Sequence, residues 1–471
     1  MAKKEAIVLY PAPWVSHQTS MVELGNLLLT LRPSLSVHIL ITTLPSQSPF
    51  SAAVSSSTII FHDLPTVDLP PSATRQDTEI PIFDILRLNV PNLRSALFSI
   101  FENYTLNAVI FDFFSASSTL KVTADFDLPG YCFYPCTAGS LASLLYLPTL
   151  HNKFTRSFED YHDRLIDIPG VPPIPPSDMP SPLLKRNEMY ENFLNISTCL
   201  PQSAGIIVNT FEFMEPRAIK TIANGLCMLN SPTPPIYCIG PLICSAAAGG
   251  GDGVADTECL KWLDSQPSKS VVFLCFGSAG LFSIEQLRET ADGLERSGHR
   301  FLWVVRNPPL ENQSSGSNEK TDPDLNLLLP PGFLERTKER GYLVKSWAPQ
   351  AALLNHDSIG GFVTHCGWNS VLESVCAGVP MLAWPLYAEQ RYNRVLMVEE
   401  MKIALPMVES ETGLVCSNEV EKRVKELMDS NEGDLIRERV VAMKNAAEMA
   451  VSEGGSSRIA VAELFESWKQ K

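Results

Sequence analysis

The chain predicts an α/β fold made of two similar parallel-sheet halves, and three observations carry that expectation. Short runs of almost unbroken apolar residues recur along its length. Each run is followed by a segment of helical period, and a glycine- and alanine-rich stretch divides the series in two. A strand covered on both faces by crossover helices is apolar at every position, whereas a strand with one wet face alternates.

In the first half the strand candidates are AIVLYPA (6–12), SVHILITT (36–43), TIIFHDL (58–64), AVIFDFF (108–114), GYCFYP (130–135) and GIIVNTF (205–211). A helix is expected from Ser20 to Leu31, where Met21, Leu24, Leu27, Leu28 and Leu31 share one face. The proline-dense run IDIPGVPPIPPSDMPSPL (166–183) is expected as an extended surface loop. SAAAGGGDGVAD (245–256) has neither period and reads as a flexible linker. The pattern then restarts with VVFLCFGS (271–278), a helix from Ser283 to about Ser297, FLWVVR (301–306), YLVKSW (342–347), GGFVTH (360–365) and PMLAWP (380–385). Residues 307–330 are polar and turn-rich, a second expected surface loop. From about Glu432 the chain reads as helices broken at 453–457, with Ile459, Ala462, Leu464 and Phe465 as a docking face. Residues 1–244 and 257–455 are therefore the two expected domains, and a final helix of about 456–471 is expected to pack back on the first.

Composition narrows the function. A chain of 471 residues exceeds what one core organises. Its net charge of −15 and pI near 5.1 would repel a phosphate backbone, so nucleic acid is not an expected partner. Eleven cysteines without a CxxC pair fit reduced thiols, and the apolar run near the start is too short for a signal peptide or a membrane span. A cytoplasmic monomer is the expectation.

The segment from Trp347 to Gln390 reads WAPQAALLNHDSIGGFVTHCGWNSVLESVCAGVPMLAWPLYAEQ. Within it HCGWNS (365–370) joins a buried strand to a helix, so backbone N–H groups at the helix start, with the Asn369 and Ser370 side chains, form an anion site. Such turns at the carboxyl edge of an open sheet are where ligands bind. Taken singly, Trp347 and Trp368 would read as core aromatics, Glu373 as a solvated helix residue and His365 as a strand-end histidine. The fixed spacing of all of them is what carries the site.

That segment resembles the signature box of the plant secondary-product glycosyltransferases, a family dependent on uridine diphosphate (UDP) sugars and built on the GT-B fold, two Rossmann-like domains facing a central cleft. The resemblance extends over essentially the whole chain. Phrases such as IPGVPPIPPSDMPSPL and IIVNTFEFMEP make it most similar to O-glucosyltransferases of flavonoids and related phenols. The resemblance implies an acceptor-binding first domain and a nucleotide-sugar-binding second one, with UDP-glucose as co-substrate and no cofactor or metal. Trp347 would stack on the uracil, with Ala348 and Gln350 on the uridine and Glu373 on the ribose hydroxyls. His365, Asn369, Ser370 and Ser278 would hold the diphosphate. Trp368, Glu389 and Gln390 would bind the hexose, and glutamine at the last position goes with glucose.

The first strand leads into YPAPWVSHQTSMVELG, which places His17 in a loop before the helix expected near Ser20. In the family a histidine here is the general base. A phenol has a pKa near about 10 and histidine about 6.5, so the proton must leave as the new bond forms. Asp112, ending the strand VIFD, would accept a hydrogen bond from His17 and fix its tautomer. One departure stands out: the family usually has glycine directly before this histidine and a small residue two positions earlier, where this chain has Ser16 and Trp14. Trp14, Phe113, Phe114, Tyr134, Thr137 and the helix from Leu141 to Leu147 would line the acceptor pocket. Transfer to carbon would use the same groups, and a dinucleotide-dependent oxidoreductase is disfavoured because no GxGxxG follows a strand.

Overall fold

Thirteen strands form among the described residues of the computed structural model, which are 3–42, 58–68, 80–162, 164–243, 254–309 and 322–469. Two compact units result, one of residues 1–244 with 449–471 and one of 245–448. The first holds β1 (Lys4–Tyr10), β2 (Ser36–Thr42), β3 (Ile59–Leu64), β4 (Tyr104–Asp112), β5 (Gly130–Tyr134), β6 (Gly205–Val208) and β7 (Ile236–Cys238) in the order β3-β2-β1-β4-β5-β6-β7. The second holds β8 (Val271–Cys275), β9 (Arg300–Val305), β10 (Gly341–Lys345), β11 (Ile359–Thr364), β12 (Met381–Ala383) and β13 (Ala404–Pro406) in the order β10-β9-β8-β11-β12-β13. Every neighbouring pair is parallel, as in Val8↔His38 and Phe362↔Phe273. The all-apolar runs are the reason: β2, β5, β6 and β11 are buried at every residue, and exposed positions fall near the ends of β1, β4 and β10 and within the edge strand β3.

In each sheet the chain starts in the middle, winds one way, then crosses to the other side of its first strand. The reversal lies between β1 and β4 in the first unit and between β8 and β11 in the second. At such a switch point the loops after the two strands diverge and leave a crevice at their carboxyl ends. His17 and Asp112 follow β1 and end β4; Ser278 and His365 follow β8 and β11.

Several local expectations are corrected. The helix expected at Ser20 begins five residues earlier, as Val15–Leu31. The proline-dense run is only in part a surface loop: Asp167, Pro173, Ser177 and Ser181 are exposed, but Ile166 and Ile174 bridge each other antiparallel and are buried with Met179. Proline has no N–H to leave unsatisfied, so this segment enters an apolar environment at small polar cost. Of the other polar loop, residues 310–321 lie outside the described residues, and Leu325–Leu328 is a short helix capped by Asp324. Most of the expected linker likewise lies outside them, and Val254 already opens the helix Val254–Asp264. β10 stops at Lys345, which frees Trp347 from the strand. Sequence reading passed over the three-residue β13, too short to carry a pattern.

The last helix, Ser456–Ser467, belongs to the first unit. Val461, Leu464 and Trp468 join its core beside Tyr131, Ile207 and Tyr237, with Phe465 partly packed against them. Ile459, expected in that face, is half exposed. Ser457 Oγ donates to the Gly240 carbonyl at 2.5 Å, and Tyr131 Oη meets Ser467 Oγ at 2.7 Å, so both ends are pinned. Among the described residues no helix is long and apolar enough to cross a membrane.

Candidate active site

In the first unit the extended residue Trp14 caps the helix Val15–Leu31, which puts His17 in the first helical turn rather than in a loop. Ser16 is an ordinary residue of that turn, so the backbone freedom of glycine is not required there. His17 Nδ1 lies 2.6 Å from Asp112 Oδ2, with Asp112 completely buried. A carboxylate only accepts, so Nδ1 carries the hydrogen and Nε2 is the acceptor of the neutral ring. Asp112 Oδ1 meanwhile takes the Phe114 N–H at 3.1 Å, capping its own turn and locking the carboxylate in place. That cap also uses the turn where an anion could otherwise bind.

Around the imidazole stands a ring of aromatics. Trp14 lies 5.3 Å from His17 between centroids and meets Phe114 edge-on at 4.6 Å. Phe113 packs on Phe114 at 4.2 Å and on Tyr134 at 4.9 Å. Phe83 and Phe193, which sequence reading missed, close on Phe114 at 5.4 and 5.8 Å. They come from helices Ile80–Leu88 and Glu188–Cys199, far apart in sequence, and no motif announces them. Thr137 behaves differently. It is fully buried and its hydroxyl caps the helix Ala138–Lys153 by accepting from Ser140 N at 2.8 Å. The N–H groups of Ala138 and Gly139 go to the two oxygens of buried Glu215, at 2.8 and 2.9 Å.

In the second unit the turn after β11 is organised by what it lacks. The helix Trp368–Ala377 starts at Gly367, which has no side chain with which to cap it. His365 sits between two glycines: a Cβ at Gly277 would fall 2.6 Å from its Nε2, and one at Gly367 2.4 Å. Burial pushes the His365 imidazole down to about 4, and among the described residues its Nδ1 has no hydrogen-bond partner. Gly277 leads directly to Ser278, an exposed residue.

Gln350 joins the remaining box residues. Its Nε2 donates to Ser370 Oγ at 2.9 Å and to Glu373 Oε2 at 2.7 Å. Burial raises the Glu373 carboxyl, and the Gln350 bond pulls it partly back. Ala348 is buried with its carbonyl on Gln350 N at 2.9 Å, whereas Trp347 is 42% exposed. Trp368 is buried, and Asn369 is half-buried beside it. Gln390 Oε1 accepts from Leu386 N and Tyr387 N at 2.8 and 3.0 Å, tying down the loop that carries Glu389. Ser346, Cys366 and Ala388, all non-glycine, adopt φ of 65°, 66° and 54° in the turns after β10, β11 and β12. Strain of roughly 1 kcal/mol or more at each is the kind that functional turns retain. Two further residues escaped sequence reading. Asn393 Nδ2 holds the Cys366 carbonyl at 2.9 Å, and Arg306 Nη1 holds the carbonyls of Gly277, at 3.3 Å, and Ser278.

Comparison with known proteins identifies the family. The family model described as UDP-glucoronosyl and UDP-glucosyl transferase matches residues 235–442. Anthocyanidin 5,3-O-glucosyltransferase of a Rosa hybrid cultivar is 49% identical over 485 aligned residues, covering 99% of each chain. Isoflavone 7-O-glucosyltransferase 1 of Glycine max is 43% identical, covering 99% of this chain and 100% of its own. The solved structure of Phytolacca americana UGT2 with UDP-2fluoro-glucose and pterostilbene is 38% identical, with a TM-score of 0.88 over 99% of this chain and 100% of that one. Two Rossmann-like parallel sheets, and near-half identity to a plant relative over full length, make this chain a member of the plant UDP-glycosyltransferase family.

Proposed function

We propose that the enzyme moves glucose from UDP-glucose to a hydroxyl of a flavonoid or related phenol, with inversion at the anomeric carbon. The first unit serves the acceptor and the second the donor. The observation that carries this reading is the buried Asp112 bonded to His17 inside a wall of aromatic rings. His17 Nε2 takes the phenolic proton as the oxygen attacks, and Asp112 stabilises the imidazolium that forms. Trp14, Phe113, Phe114 and Tyr134 receive the flat acceptor; the names of the rose and soybean relatives support a flavonoid. Trp347 stacks on the uracil, and Glu373, disfavoured as a buried anion, gains from ribose hydroxyl donors. The uncapped helix start with Asn369, Ser370, His365 and Ser278 holds the diphosphate, while Trp368, Glu389 and Gln390 serve the hexose. A monomer in the cytoplasm is the expected setting. Incubation with UDP-glucose and a panel of phenols, read by mass spectrometry, tests the reaction. An acid-labile product is an O-glucoside and an acid-stable one a C-glucoside; no phenol product at all would refute the reading.

A further inference from the structure

His365 brings no formal charge to the β11 turn, because its imidazole is neutral well below pH 7. The uncapped helix start contributes only a partial charge, about half an elementary unit. Glu373, in the same helix, is a carboxylate. A diphosphate carries multiple negative charges, so dipoles alone leave it poorly compensated here. Arg306, directly after β9, stands at this edge. Its Nη1 donates to the carbonyls of both Gly277 and Ser278, the turn pressed against His365. A guanidinium has five N–H donors, and these two bonds use only those on Nη1. Among the described residues no carboxylate forms an ion pair with Arg306. Its field reaches across the turn: it opposes the effect of burial on both Tyr387 and Cys275, and the Tyr387 ring lies 6.3 Å from His365.

We propose that Arg306 is a donor-binding residue with two tasks: it grips the Gly277–Ser278 turn that presents Ser278, and it supplies positive charge to the diphosphate. The proposal rests on the reading of this edge as the diphosphate site. It differs from a purely structural role in one measurable way, since a cation for phosphate matters to UDP and not to uridine. Calorimetric titration of wild type, Arg306→Gln and Arg306→Lys with UDP and with uridine tests it. Arg306→Gln should weaken UDP about 10- to 100-fold while uridine changes by less than about twofold. Arg306→Lys should fall between, because lysine keeps the charge but lacks the rigid fork that holds two carbonyls; it also serves if the glutamine variant does not fold. Equal losses for UDP and uridine, or no loss for UDP, would overturn the role of Arg306. If wild type binds uridine as tightly as UDP, the diphosphate reading itself fails.

Discussion

At the scale of single residues, the site depends on two very short approaches. His17 and Asp112 meet at 2.6 Å, so the proposed base is held in one orientation by the protein itself. His17→Ala should lower kcat roughly 10²- to 10⁴-fold and leave UDP affinity unchanged by calorimetry, since UDP is assigned to the other unit; undiminished kcat would remove His17 from its role. The second approach is His365 against Gly367, where a methyl group would stand 2.4 Å from Nε2. The backbone at Gly367 is extended and accepts any residue, so Gly367→Ala tests the space alone. Overpacking of this kind costs about 1–3 kcal/mol. The expected outcome is a displaced ring, a lower melting temperature and a raised KM for UDP-glucose, read by thermal melts and initial rates.

At the scale of elements, β2 and β3 carry a pair of imidazoles. His38 Nδ1 and His62 Nε2 lie 2.9 Å apart, with Ser36 Oγ on the other nitrogen of His38. Burial, then the neighbouring His62, pushes His38 down to about 4, and burial lowers His62 as well. Both fall below the value of about 6.5 that an unfolded chain would show. Between these limits the unfolded chain binds more protons, so the stability these groups contribute is present above about pH 6.5 and is lost as pH falls toward 4. Buried His365 adds to the same window. Melting temperature should therefore drop on acidification through this range, and His38→Gln should flatten the slope; parallel slopes for both proteins would show that His38 contributes nothing to it.

At the scale of the whole molecule, the chain returns to its first unit to finish it. Leu464 is fully buried in that core although it is more than two hundred residues from the last strand of the sheet it covers. Leu464→Ala should destabilise by about 2–5 kcal/mol, which for a unit of this size corresponds to a fall of about 5 °C or more in melting temperature. UDP affinity at low temperature should stay unchanged, because the proposed donor groups lie in the other unit. A loss of UDP affinity in the well-folded variant would contradict that division.

The sequence by itself determined the fold class and the spacing on which the proposed donor site rests. Parallel strands buried on both faces must be apolar throughout, and a strand-to-helix turn of fixed spacing is a local object, so both are written in consecutive residues. Tertiary structure decided what depends on residues distant in the chain. The aromatic wall takes Phe83 and Phe193 from separate helices, and the turn at Ser278 is held by Arg306 from the next strand. Burial of Ile166, Ile174 and Met179 in the proline-dense run and the lowered pKa of His365 were also invisible locally. Each follows from which neighbours exclude water, a property that one-dimensional spacing does not encode.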